Sequence, residues 1–173
     1  RRQPLDSHEG LILSRDLESP YVEGVPDWDA LYRARGDEVS ATRPIFTGDV
    51  FTGIQLLGST GNRKARSVVV LQHPCSMRMN GVDVAWQVLV AEVTNRKELD
   101  EHGWVGGNFN LMPLPDIRRE VTSQSRHQAA NFDNLYTVAP DVLTSRVASL
   151  SPFGVNLLLQ RWVHYSSRVV VPT

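Results

Sequence analysis

The stretch VVVLQHPCSMR, residues 68–78, decides how the chain is read. Val68–Leu71 is an unbroken apolar run, short enough for a strand and bounded by polar residues, so it predicts a strand over 67–73 buried on both faces. The run enters a polar cluster holding His73, Pro74, the single cysteine Cys75 and Arg78. Pro74 favours an extended His73. In an extended chain His73 and Cys75, two residues apart, point to one side. Working outward, GSTGNRK (58–64) is rich in turn formers and reads as a loop. Asn80-Gly81 is a short-turn signal, and VAWQVLVAEVT (84–94) reads as the next strand. Upstream, PIFTGDVFTGIQLL (44–57) carries β-branched and aromatic residues and reads as a strand bent at Gly48.

The rest of the chain frames these strands. In 27–36, DWDALYRARG predicts a short helix capped by Asp27 and ended by Gly36, with Trp28, Leu31 and Tyr32 clamping it to the main body. Segment 95–135 is irregular, with FNLMPLP (109–115) a short edge strand because Pro113 and Pro115 cannot donate to a ladder. LYTV is a strand, and PDVLTSRVASL holds a helical turn and a connecting strand. Ser151 can cap a helix that Pro152 begins. Val155, Leu158, Leu159 and Trp162 form its apolar stripe. RVVVPT (168–173) reads as a last strand. The expected division is an amino-terminal arm over 1–43 and a β domain over 44–173.

Composition sets bounds. With 173 residues, 41% of them hydrophobic, the chain can bury a real core. A net charge of −1 argues against coating nucleic acid by bulk electrostatics, yet leaves room for local basic sites in NRKAR (62–66) and RREVTSQSRH (118–127). No apolar run approaches the roughly 20 residues of a membrane span. RRQPLDSHEG (1–10) has no apolar segment and does not read as a secretory signal; it also lacks an initiator methionine, so the chain reads as a fragment or a processed product. One cysteine fits a reducing compartment, and the expected location is the cytoplasm.

The order of these pieces resembles the MazF/PemK toxin endoribonucleases over roughly residues 44 to 165. The family's opening Gly-Asp-(Ile/Val)-aromatic is met as Gly48, Asp49, Val50, Phe51. Its arginine and apolar run are met as Arg66, Ser67, Val68, Val69, Val70, Leu71, with Ser67 in place of proline and Arg63 as a competing arginine. Its central strand ending in threonine is met as Val90, Ala91, Glu92, Val93, Thr94, where Glu92 replaces a proline and sets a carboxylate beside the site. The resemblance implies a mainly β fold with helices (α+β): a small SH3-like barrel with a C-terminal packing helix, preceded here by the helical arm. It also implies cleavage of single-stranded RNA without metal or cofactor, a homodimer, a protein antitoxin and no membrane.

That chemistry needs few groups from the protein. The ribose 2′-OH attacks its own phosphate, so RNA rather than DNA is cut. A guanidinium can make two charge-assisted hydrogen bonds to the phosphoryl oxygens, and a hydroxyl can orient another. The resemblance assigns these roles to Arg66 and Thr94. Arg63, Lys64, His73 and Arg78 are expected to rim the substrate groove, with Cys75 packed as a small apolar residue. Base stacking needs exposed aromatics. Trp86, Trp104 and Phe109 are candidates, with Trp86 read as core and Trp104, between glycines, as the exposed one. Blander readings stand beside these: Arg66 as a surface arginine, Thr94 as a strand end, 72–78 as a turn and Trp104 as a plug under a loop. Two other functions stay open, a non-catalytic barrel binding nucleic acid or protein within an assembly, and a Cys75/His73 hydrolase. A metal at His73 and Cys75 would need a third ligand, for which His102 is the suggestive residue.

Overall fold

The computed structural model describes residues 17–58, 61–96, 101, 104, 109–119 and 127–167. The strand expected over 168–173 and His102 lie outside them. The described chain opens with a hairpin of β1 (Tyr21–Val22) and β2 (Val25–Pro26). One 3-10 turn, Asp29–Leu31, leads into β3 (Tyr32–Arg35). β4 (Asp49–Leu57) and β5 (Arg63–Val70) form a long hairpin. A short α1 (Pro74–Met77) precedes β6 (Arg78–Met79) and β7 (Asp83–Val84). β8 (Val88–Asn95), β9 (Leu111–Pro113), β10 (Gln128–Val138) and β11 (Arg146–Leu150) complete the strands, and α2 (Pro152–Ser167) follows.

Seven strands make one sheet in the order β3-β11-β4-β5-β8-β10-β9, with every pair antiparallel. The fold is mainly β with a C-terminal helix, as the sequence predicts. The sheet curls until its two edges meet. There the junction is made by side chains: the Tyr32 hydroxyl donates to the Pro115 carbonyl at 2.8 Å, and Arg35 reaches the Asp116 carbonyl at 3.4 Å. The open barrel is thus closed by side chains beside its last short strand.

β5 and β8 carry apolar residues on both faces because both faces are covered. Val69, Ala91 and Val93 face a core with Phe132, Leu157 and Leu158, under α2. Val68, Val70, Val88 and Val90 face a second cluster with Phe51, Ile54, Met77 and Leu143. Helix α2 begins as its sequence demands: Ser151 Oγ accepts from the Gly154 amide at 3.0 Å and donates to the Ala30 carbonyl at 2.5 Å. The buried face of the helix is Gly154, Leu157, Leu158 and Arg161, rotated from the expected stripe. The cause is Gly154, which lets the helix backbone approach Leu31, and Arg161, a cation drawn inside.

Residues 27–36 do not form the expected helix. Asp27 does cap a turn, accepting from the Ala30 amide at 3.0 Å. The turn then gives way to β3, which pairs with β11. β-Propensity at Tyr32 and the edge vacancy beside β11 win over a helical pattern too short to nucleate.

Candidate functional site

Gly48-Asp49 is a structural hub. Gly48 has φ 82°, donates to the Val70 carbonyl at 2.9 Å and accepts from Leu150 N at 3.1 Å. A side chain there would collide with Val155 and Leu150, so only glycine fits where β4, β11 and α2 meet. The buried Asp49 carboxylate pairs with Arg43, lies 3.2 Å from Arg146 Nε, and accepts from the Phe46 amide at 2.8 Å. Arg146 donates in turn to the Ser40 and Arg43 carbonyls. Burial pulls the Arg146 guanidinium down from its ordinary range, and Asp49 opposes that shift. This network pins residues 40–46 onto the sheet.

The expected site lies at the middle of the sheet. β5 and β8 are laddered from Val70↔Val90 to Ser67↔Val93. Beyond that, Arg63–Arg66 stay with β4, while Thr94 and Asn95 stay with β10. The two central strands therefore part just after Ser67 and Val93. Extending their register by one residue sets Arg66 across from Thr94, so both side chains leave the same face of the sheet. The same alternation puts Lys64 and Arg96 on that face and turns Arg63 to the other. Arg66 has a half-exposed side chain whose Nε lies 3.3 Å from Oε1 of Glu92, itself buried. Thr94 Oγ1 accepts from Arg96 Nε at 3.2 Å.

Glu92 has a second partner that sequence reasoning missed. On β10, Asn131 pairs with Glu92 and Leu135 with Ala91, four steps against one, so residues 132–134 form a three-residue bulge. The bulge sends Phe132 into the core and Asn134 back to the site, where its Nδ2 donates to Glu92 Oε2 at 3.0 Å. Asp133, between them, accepts from Tyr165 at 2.5 Å and Asn110 at 2.6 Å. Those hydrogen bonds, Tyr165's first, hold the Asp133 carboxyl below its ordinary range. Two asparagines and an aspartate in NFDN (131–134), set between apolar pairs, are the sequence signal for this break.

The other expected site residues divide. His73 is the cap of α1: its Nδ1 accepts from the Cys75 amide at 3.2 Å, and its carbonyl accepts from Ser76 and Met77. His73 itself is extended, as Pro74 favours, but Pro74 starts a helix that His73 caps, so the extended run does not continue to Cys75. Cys75 is exposed, not packed. Arg78 sits over the Phe46 ring at 5.7 Å, with terminal nitrogens 3.4 Å from the Val82 and Ile45 carbonyls. The two tryptophans exchange roles. Trp104, the exposed candidate for stacking on substrate, is instead a buried plug, as its blander reading had it: it lies beside Trp28, with the Arg161 guanidinium 4.6 Å above its ring. Trp86, expected in the core, is 76% exposed, because the expected strand 84–94 is broken: Val84 ends β7, β8 begins at Val88, and Trp86 occupies the link. Phe109 lies against His164 at 4.1 Å.

Among the described residues, no group of three or more His, Cys, Asp or Glu could hold a metal ion, and no helix is long and apolar enough to cross a membrane.

The fold is thus a curled antiparallel sheet with one long C-terminal helix. No protein-family model matches the sequence, and no curated protein matches it. Among solved structures, the chain is similar to an endoribonuclease in complex with its cognate antitoxin from a mycobacterial species, at 14% identity and a TM-score of 0.47, over 75% of this chain and 100% of that one. It is also similar to an endoribonuclease from a mycobacterial species, at 13% identity and a TM-score of 0.46, over 74% of this chain and 95% of the other. Similarity of this size carries no site residue from those proteins to this chain.

Proposed function

We propose that this chain is a metal-independent endoribonuclease of toxin type acting on single-stranded RNA. The observation that supports it best is the shared face of Arg66 and Thr94 at the point where β5 and β8 part. In this reading the 2′-oxygen bonds to phosphorus as the P–O5′ bond breaks, leaving a cyclic phosphate. The 2′-hydroxyl proton passes to solvent, and O5′ takes one up. Arg66 stabilises the charge that gathers on the phosphoryl oxygens, and Thr94 orients one of them. Lys64 and Arg96 extend the cationic face along the strand, with Arg78 and His73 further along the chain. The exposed Trp86 takes the stacking role first given to Trp104. A homodimer, a protein antitoxin and the cytoplasm as its setting belong to the same proposal.

A second reading is a non-catalytic barrel that binds RNA or protein. The ion pair between Arg66 and Glu92 favours it, since a paired guanidinium has less charge to offer a phosphate. Long RNA incubated with purified protein in excess EDTA separates the two. Fragments ending in cyclic phosphate support the nuclease. Retention of intact RNA on the protein, with no new ends, supports the binding module.

A further inference from the structure

Glu92 has no place in the chemistry above, yet it occupies the centre of the site. It lies on β8 between Val90 and Thr94, on the face it shares with Val68, Val90 and Arg66, and only 5% of it is exposed. A carboxylate in such a place is stable only when its lone pairs are engaged. Its two oxygens face different partners, Oε1 toward Arg66 Nε at 3.3 Å and Oε2 toward Asn134 Nδ2 at 3.0 Å. Asn134 gets there by the three-residue bulge in β10, a break in the ladder that the sheet tolerates at its longest strand. The arrangement is one-sided in a useful way. The side nitrogen of Arg66 faces that carboxylate as an ion pair, without hydrogen-bond alignment. Its two terminal nitrogens have no acceptor among the described residues.

We propose that Glu92, fixed by Asn134, is the positioning residue for Arg66: it anchors the guanidinium through Nε and presents the terminal edge to a phosphate. The inference rests on the nuclease reading for its consequence, but its geometry stands apart from it. A half-exposed arginine left to itself samples many rotamers, and ordering it on substrate costs side-chain entropy. A buried carboxylate at Nε orders the group beforehand. End-on presentation leaves two parallel N–H donors for one phosphate, the bidentate form. Glu92 is not cast as the base for the 2′-OH, because Oε2 is engaged by Asn134, Oε1 faces the Arg66 cation, and the carboxylate is buried. Nor does it block the site, since no described residue accepts from the terminal nitrogens.

The test uses Glu92→Gln, which keeps the shape and removes the charge, together with Arg66→Ala and the double variant. The first readout is independent of activity. In protein labelled with 15N-arginine, the Arg66 Nε–H signal, assigned by its loss in Arg66→Ala, is expected to be sharp and resolved from the free arginines. Glu92→Gln is expected to broaden it or merge it with the free arginines. A signal unchanged in Glu92→Gln overturns the anchor whether or not RNA is cut. The second readout is cleavage. Glu92→Gln is expected to lower kcat about 10- to 100-fold through misplacement of a catalytic group, with KM within about threefold. It is expected to add no further loss in the Arg66→Ala background. An unchanged or raised kcat, or an equal loss with and without Arg66, overturns the positioning role. An altered Nε–H signal in a protein that never cuts RNA retains the anchor and rejects the nuclease reading instead.

Discussion

Replacing Gly154 by alanine should destabilise this protein, although helix propensity alone says the reverse. Gly154 lies in the first turn of α2, where alanine is worth about 1 kcal/mol over glycine. The opposing effect is steric. A Cβ at this position would lie 2.2 Å from the Leu31 carbonyl oxygen, 3.1 Å from its carbon and 3.2 Å from Leu150 Cβ. A tolerable carbon–oxygen contact is roughly 3.3 Å, so the helix must retreat by about 1 Å. A gap of that size forfeits about a quarter to a half of each dispersion contact it opens. Leu157 and Leu158, the fully buried residues one turn on, are the ones withdrawn. The bond from Ser151 N to the Leu31 carbonyl, 2.9 Å long, stretches with them. Because the obstacle is backbone, the overpacking cost sits at or above the top of its usual range, about 3 to 4 kcal/mol. The net loss is then about 2 to 3 kcal/mol, or a Tm lowered by roughly 4 to 12 °C for a domain of this size. Thermal unfolding followed by circular dichroism reads this directly. Gly58→Ala is the control, since its Cβ meets nothing closer than 3.4 Å. A Gly154→Ala protein that melts at or above the wild-type temperature would refute the packing argument.

Three further outcomes are expected. Burial raises the Tyr32 phenol well above its ordinary value, so its contribution is present in full below about pH 10, where the unfolded phenol ionises, and is lost as pH climbs beyond that. Urea unfolding between pH 9 and pH 11 should show stability falling by up to about 1.4 kcal/mol per pH unit above pH 10, and Tyr32→Phe should remove that component. Trp86→Ser should change stability by less than about 0.5 kcal/mol, whereas Trp104→Ala should cost about 3 to 5 kcal/mol, as urea midpoints will show. Lys64→Ala and Arg96→Ala should each reduce the salt dependence of single-stranded RNA binding by about 0.7 in the log–log slope, measured by fluorescence anisotropy.

The parts of the fold that follow from local rules were legible. The apolar run 67–71, the Ser151-Pro152 helix start and the edge strand in 109–115 each express one short-range preference, and each formed. Residues 27–36 misled because the partner that decides them, β11, lies more than a hundred residues away. The tryptophans misled for a related reason. Whether Trp86 belongs to a strand depends on where β7 ends, and the depth of Trp104 depends on Arg161 rising from α2 to cover it. At the site, Arg66, Glu92 and Thr94 could be named from their order along the chain. Asn134 could not, because only the bulge in β10 carries it to Glu92. The side to which Arg63 turns was equally hidden until the register of β5 fixed the alternation.

In the proposed function, RNA breaks through its own 2′-hydroxyl while Arg66 holds the phosphate. An oligonucleotide carrying a cleaved site, and a copy with one 2′-deoxynucleotide at that position, test it most directly in EDTA. The proposed function predicts that the all-ribose strand is cut to a cyclic phosphate, that the single deoxy substitution abolishes the cut, and that Arg66→Ala slows cutting of the natural strand about 100- to 1,000-fold. Cutting of the deoxy-substituted strand, or full activity in Arg66→Ala, would contradict it.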